Sequence, residues 1–144
     1  MTPTVPELLV GCATALAAQP SAEDAGVYTA TRLRTVATLN VLIAQECAVG
    51  SAVRVWENSA LRSLLLGAAA EYGQEFAEAR SIGDGDCSLA ALDAANAGLR
   101  RLLIRLHEAV EGARDHKLDR EILALYRQMA ERRELKLPAQ RPAT

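Results

Sequence analysis

The sequence predicts an all-α protein, a bundle of four to five helices with one or more of them long, and three observations carry that expectation. Ala, Leu, Glu, Arg and Lys make up over half of the 144 residues, a bias that marks long helices when it coincides with a 3.5 to 3.6 residue period. Residues that favour sheets are scarce, with Phe, Trp and Tyr together at 3%. The third observation is a near-repeat: residues 58–65 and 96–103 both read Asn-x-small-Leu-Arg-x-Leu-Leu. Around the second copy Leu89, Leu92, Asn96, Leu99, Leu103, Leu106, Val110 and Ala113 alternate in steps of three and four, the register of a helix seam.

Taken in order, the first helix starts at Thr4, whose hydroxyl caps while Pro6 takes an early helical position and Glu7 completes a capping box. Val5, Leu8, Leu9, Cys12 and Leu16 give it an apolar stripe, and Pro20 stops it. Ser21 with Glu23 and Asp24 opens a second helix. Residues 36–44 are apolar on almost every face, which predicts a helix surrounded by others, with Cys12 and Cys47 as buried structural fillers. Whether this helix breaks near residues 56–59 or runs from about residue 27 to about residue 80 is left open by the sequence. The stripe Leu61, Leu65, Ala68, Tyr72 and Phe76 continues towards Ala79. Residues 81–87 form a loop in which Asp86 or Ser88 caps the next helix. That helix runs from Leu89 to about Glu111, with Gly112 ending it. The last begins near Asp115 or Asp119, buries Leu118, Ile122, Leu125 and Met129, and carries a charged outer face.

A chain of this length buries one core without staples, so one domain over residues 1–137 is expected, followed by a disordered tail at 138–144. The net charge of −2 provides no global attraction to nucleic acid or anionic lipid. It is unevenly spread: residues 1–99 hold five Arg against eleven acids, residues 100–144 eleven Lys and Arg against seven acids. Three widely spaced cysteines fit a reducing compartment. No uninterrupted run approaches the 18 apolar residues of a membrane span, and a cytoplasmic protein is expected.

Chemistry-bearing motifs are lacking. There is no G-x-S-x-G, P-loop or dinucleotide fingerprint, and Asp84-Gly85-Asp86 lacks the further oxygen ligands of a calcium loop. His107 and Glu111 are four apart and could share a metal, but the histidine and acid spacings of a bundle metal centre are missing. No cofactor is expected, and the balance is against an enzyme. The repeat has two readings. In the structural one, leucines of two related helical units fill a shared core while Asn58 and Asn96 fix register. In the functional one, Trp56, Asn58, Arg62, Asn96 and Arg100 line a polar groove for a peptide or ligand.

The segment Glu57-Asn58-Ser59-Ala60-Leu61-Arg62, with Leu118-Asp119-Arg120-Glu121-Ile122 near the end, resembles an uncharacterised family of small all-helical bacterial proteins that occur beside acyl-CoA dehydrogenase-type and phosphotransferase-type enzymes. The resemblance covers most of the chain, implies an accessory role, and carries over no catalytic residue. The sequence is accordingly read as a non-catalytic helical interaction or scaffold protein. It is expected to form a homodimer, because Ala-rich helices expose more stripe than a short chain can cover, and to accept a protein partner. The competing reading is a ligand-binding or catalytic bundle in which Trp56, Arg62, Tyr72 and His107 converge on a pocket.

Overall fold

The computed structural model describes residues 5–17 and 26–137. The regular structure among them is all helical: α1 (Val5–Ala17), α2 (Val27–Tyr72), a 3-10 segment (Gln74–Arg80), α3 (Leu89–Ala113) and α4 (His116–Arg133). The all-α class is as expected. The starts placed at Thr4 and Ser21, the stop at Pro20 and the tail from Pro138 lie outside the described residues. Packing divides the chain into two units, Gly50–Glu134 and Met1–Val49 with Leu135–Thr144.

α2 passes residues 56–59 unbroken and ends at Tyr72, short of residue 80. The stop is Gly73, whose φ of 136° is a conformation that side chains with a Cβ rarely adopt. Phe76 and Ala79 keep their places on the buried stripe, but from the 3-10 segment.

Within residues 50–134 the core is made of Leu61, Leu65 and Ala68 from α2, Phe76, Leu99, Leu103, Leu106 and Val110 with Ile122 and Met129. The polar contacts between α2 and α3 keep a nearly constant separation in sequence: Arg54 to Asp93 and Glu57 to Asn96 at 39, Asn58 to Asn96 at 38. A constant difference means that the two helices run parallel. The repeat period is therefore the register of the pair, and Leu61 and Leu65 lie level with Leu99 and Leu103. A parallel pair needs a long return. At 1.5 Å per residue, the distance from the level of residue 51 to Tyr72 is about 32 Å. Residues 73–88 span it, the 3-10 residues at about 2 Å each and the remainder at up to about 3.3 Å. Ser88 caps α3, accepting from the Ala91 amide at 3.2 Å. α4 then returns antiparallel, His107 meeting Asp119 and Asn96 meeting Arg133.

Gly112 stays helical, and α3 ends two residues further on than expected. Arg114 takes the left-handed conformation (φ 58°, ψ 33°), with its N–H donating to Glu111 and that of Asp115 to Val110, each at 3.1 Å. Asp115 caps α4 through the amides of Lys117 and Leu118.

In the other unit the buried apolar residues among those described are Ala13, Ala37 and Ala44. Among the described residues, the helix around 36–44 is therefore not enclosed on every face: Val36, Leu39 and Ile43 are 43%, 51% and 49% exposed. Cys12 and Cys47 are exposed rather than buried, because no large apolar side chain among the described residues covers the faces carrying them. The Gln45 side chain donates to the Lys136 carbonyl (2.8 Å) and accepts from its N–H (2.9 Å), tying residue 136 to α2. α2 also departs from the expectation that no apolar run is of spanning length. A window of it has mean hydropathy 1.5, long and apolar enough to cross a membrane by length and composition; averaging passes over Asn40, Gln45 and Glu46, which interrupt any strict run.

Arg114→Gly relieves a left-handed non-glycine residue that costs about 1 kcal/mol, partly offset by the freer unfolded chain. A rise of roughly 2 °C in Tm is expected by calorimetry. A fall would show that the Arg114 side chain stabilises the turn.

Candidate functional site

The polar centre of residues 50–134 is a layer in which the two asparagines of the repeat meet. Glu57 and Asn58 are fully buried, and Asn96 is 4% exposed. Asn96 Nδ2 donates to Asn58 Oδ1 at 3.0 Å and to Glu57 Oε2 at 2.9 Å. Asn58 Nδ2 in turn donates to the Leu92 carbonyl at 3.1 Å and to Asp84 Oδ1 at 2.7 Å. Helix geometry accounts for the placement. Glu57 and Asn58 lie four and three residues before Leu61, and Asn96 three before Leu99, so the polar layer is the next level of the seam that the leucines fill.

Two arginines close the layer from either side. Arg133, in the last turn of α4, grips Glu57 through both carboxylate oxygens, Nε to Oε1 at 2.7 Å and Nη2 to Oε2 at 2.6 Å, and reaches Asn96 Oδ1 at 3.3 Å. This fork-on-fork pairing is the strong form of the contact, and the Glu57 carboxylate raises the Arg133 pKa above its ordinary value. Arg62 donates to the Ile82 carbonyl at 2.8 Å and pairs with Asp84. Its guanidinium first, and the Asn58 amide second, hold the Asp84 carboxyl below the usual range against the opposing effect of burial. Among the described residues no buried side-chain polar atom is left without a partner.

Of the five residues singled out from the sequence, Asn58, Arg62 and Asn96 meet in this layer. Trp56 lies outside it with the Arg132 guanidinium 4.0 Å above its ring. Arg100, the repeat counterpart of Arg62, is exposed, because the return segment that supplies Asp84 and Ile82 reaches Arg62 alone. Tyr72 donates to Asp115 at 2.8 Å; burial first, and the Asp115 carboxylate second, push it up to about 12. His107 faces Asp119 and Tyr126. An open groove between α2 and α4 is lined by Ser63, Leu64, Gly67, Lys117, Leu118 and Glu121 among others, and none of Trp56, Arg62, Tyr72 and His107 is part of its wall. Sequence reasoning missed Glu57, Asp84 and Arg133. A signal existed for Arg133, which continues the stripe Ile122, Met129 by one further step of four.

The layer's donors and acceptors are directed at one another, so it acts as an internal clasp that joins α2, α3, α4 and the return segment. Comparison of the chain with protein-family models, with curated proteins and with solved structures finds no match.

Removing Arg133 leaves a fully buried carboxylate without its cation. Arg133→Ala is expected to cost about 3 kcal/mol in urea unfolding, and adding Glu57→Leu to recover most of that loss. Additive losses in the double variant would refute the pairing. Asp84 gives a pH signature. Its pKa is lower folded than unfolded, so its contribution is present above the ordinary value of 3.8 and is lost as pH falls through the lower, folded value. Asp84→Asn should therefore be less stable than the parent at pH 6, with the gap narrowing below about pH 4, measured by urea unfolding at each pH.

Proposed function

We propose that the protein acts as a non-catalytic helical interaction protein that pairs with a second copy of its own chain through residues 36–47 of α2. One observation carries the reading. Val36, Leu39, Ile43 and Cys47 follow one another at steps of three, four and four on one stripe and are all exposed, while the fully buried apolar residues described in that unit are three alanines, with Leu33, Val41 and Leu42 half-buried. Alanine brings little apolar area out of water. A stripe of this length left in water is the kind of surface that marks an interaction site, and the step pattern suits the seam of a second helix.

Asn40, Gln45 and Glu46 on the same stretch favour a protein neighbour over lipid, since a charged group at the bilayer centre alone costs about 3 kcal/mol. The reading places the protein in the cytoplasm, away from membrane and nucleic acid. An accessory role beside acyl-CoA dehydrogenase-type or phosphotransferase-type enzymes extends the proposal to a protein partner, on the strength of the resemblance alone. The polar layer supports a structural rather than catalytic use of Asn58 and Asn96, whose amides are taken up by each other and by Glu57, Asp84 and Leu92.

Light scattering coupled to size exclusion at tens of micromolar is expected to give twice the 15.4 kDa chain mass. Leu39→Glu with Ile43→Glu replaces two side chains already half in water, so the helices should persist by circular dichroism while the dimer weakens by at least about a hundredfold. A parent chain that is monomeric, or that floats with phosphatidylcholine vesicles instead of pairing, would overturn the proposal.

A further inference from the structure

A second cluster, distinct from the polar layer, lies at the other end of the α3–α4 hairpin. His107 and Glu111 are one helical turn apart on α3, and the hairpin brings Asp119 of α4 opposite them. His107 Nε2 is 3.0 Å from Asp119 Oδ1 and 3.9 Å from Glu111 Oε1, and the three donor atoms all lie within 4.8 Å of one another. A zinc ion bound tetrahedrally at about 2.05 Å separates neighbouring donors by about 3.3 Å. The two distances from His107 bracket that value. Only Glu111 has to swing inwards, and its side chain is 67% exposed. The ring of Tyr126 packs against His107 with centroids 5.8 Å apart, which restrains the imidazole with Nε2 towards the carboxylates.

The geometry points to a divalent transition-metal site, Zn2+ in its simplest form, held by His107 Nε2, Glu111 Oε1 and Asp119 Oδ1. One imidazole and two carboxylates offset the ion's two charges, and a nitrogen–oxygen set of this kind suits zinc, cobalt and related ions. Three protein ligands leave a fourth position of a tetrahedron for water or a partner's side chain. Sequence spacing showed two of these three ligands, since Asp119 joins through the turn at residues 114–115 rather than through a periodic step. The ion would fasten α3 to α4 at the end away from Glu57 and Arg133.

The test uses the full chain with Cys12, Cys47 and Cys87 changed to Ser, so that exposed thiols do not compete for the ion. Titration with Zn2+ against a colorimetric chelator is expected to show one saturable equivalent at pH 7.5, and Co2+ a visible band of tetrahedral intensity. His107→Gln and Glu111→Gln should each weaken Zn2+ binding by about tenfold or more, at least the loss seen when a ligand's outer support is removed. Glu111→Gln alters a largely exposed side chain and so decides the matter if His107→Gln fails to fold. Absence of a saturable equivalent, or unchanged affinity in either variant that retains parental helicity, would overturn the assignment.

Discussion

The structure of residues 50–134 depends on a carboxylate that cannot reach water. Glu57 is fully buried on a helix whose next turns are leucine, and a buried charge is tolerated only when a counter-charge and further donors surround it. Arg133 supplies the charge and Asn96 the extra donor. Each need fixes an element: α4 must end where its last turn meets Glu57, and α3 must present Asn96 at the same level. The apolar contacts above that level would tolerate sliding, because leucine against leucine is similar one heptad away. The polar layer would not, since a shift leaves amides and a carboxylate unpaired, at roughly 1–3 kcal/mol for each neutral group and more for the charge.

The parallel course of α2 and α3 gives the repeat a physical meaning. Two in-register copies of Asn-x-x-Leu-x-x-x-Leu place amide beside amide and leucine beside leucine, the arrangement by which a seam asparagine selects one alignment of parallel helices. Here the return segment adds asymmetry. By carrying Asp84 and Ile82 past Arg62, it engages one arginine of the repeat and leaves Arg100 in solvent. Two sequence copies thus take different surroundings, one inside a network and one outside it.

Much of this was legible from residue patterns, and the gaps have identifiable causes. The seam from Leu92 to Val110 and the pairing of Asn58 with Asn96 follow from period and repeat, which depend only on local helix geometry. The parallel direction does not, because identical copies can meet in either sense until the length and course of residues 73–88 are known. Arg133 was hidden in the charged run Glu131-Arg132-Arg133-Glu134, where composition indicates solvent and only the step of four from Met129 indicates the core. Asp84 sits in a loop without any period. For residues 36–44, an apolar surround predicts a helix enclosed by others, but the pattern carries no information on which faces the chain itself covers, and Val36, Leu39 and Ile43 are exposed.

That distinction separates the two units by their means of stability. In residues 50–134 large side chains are enclosed, Phe76 and six leucine, isoleucine or valine positions of α3 and α4 among them, and the polar layer adds specificity to a core already deep enough to hold. Around residues 36–47 the fully buried apolar side chains are alanines, Val41 and Leu42 are half-buried, and Val36, Leu39 and Ile43 are exposed, against the usual order, in which the larger apolar groups are the more buried. Small residues inward permit close helix approach but bring little area out of water. If that surface were simply solvated, the leucine and isoleucine would contribute nothing to the fold that glutamate or lysine could not. Their regular spacing is what a helix seam requires, and the proposed pairing rests on that spacing.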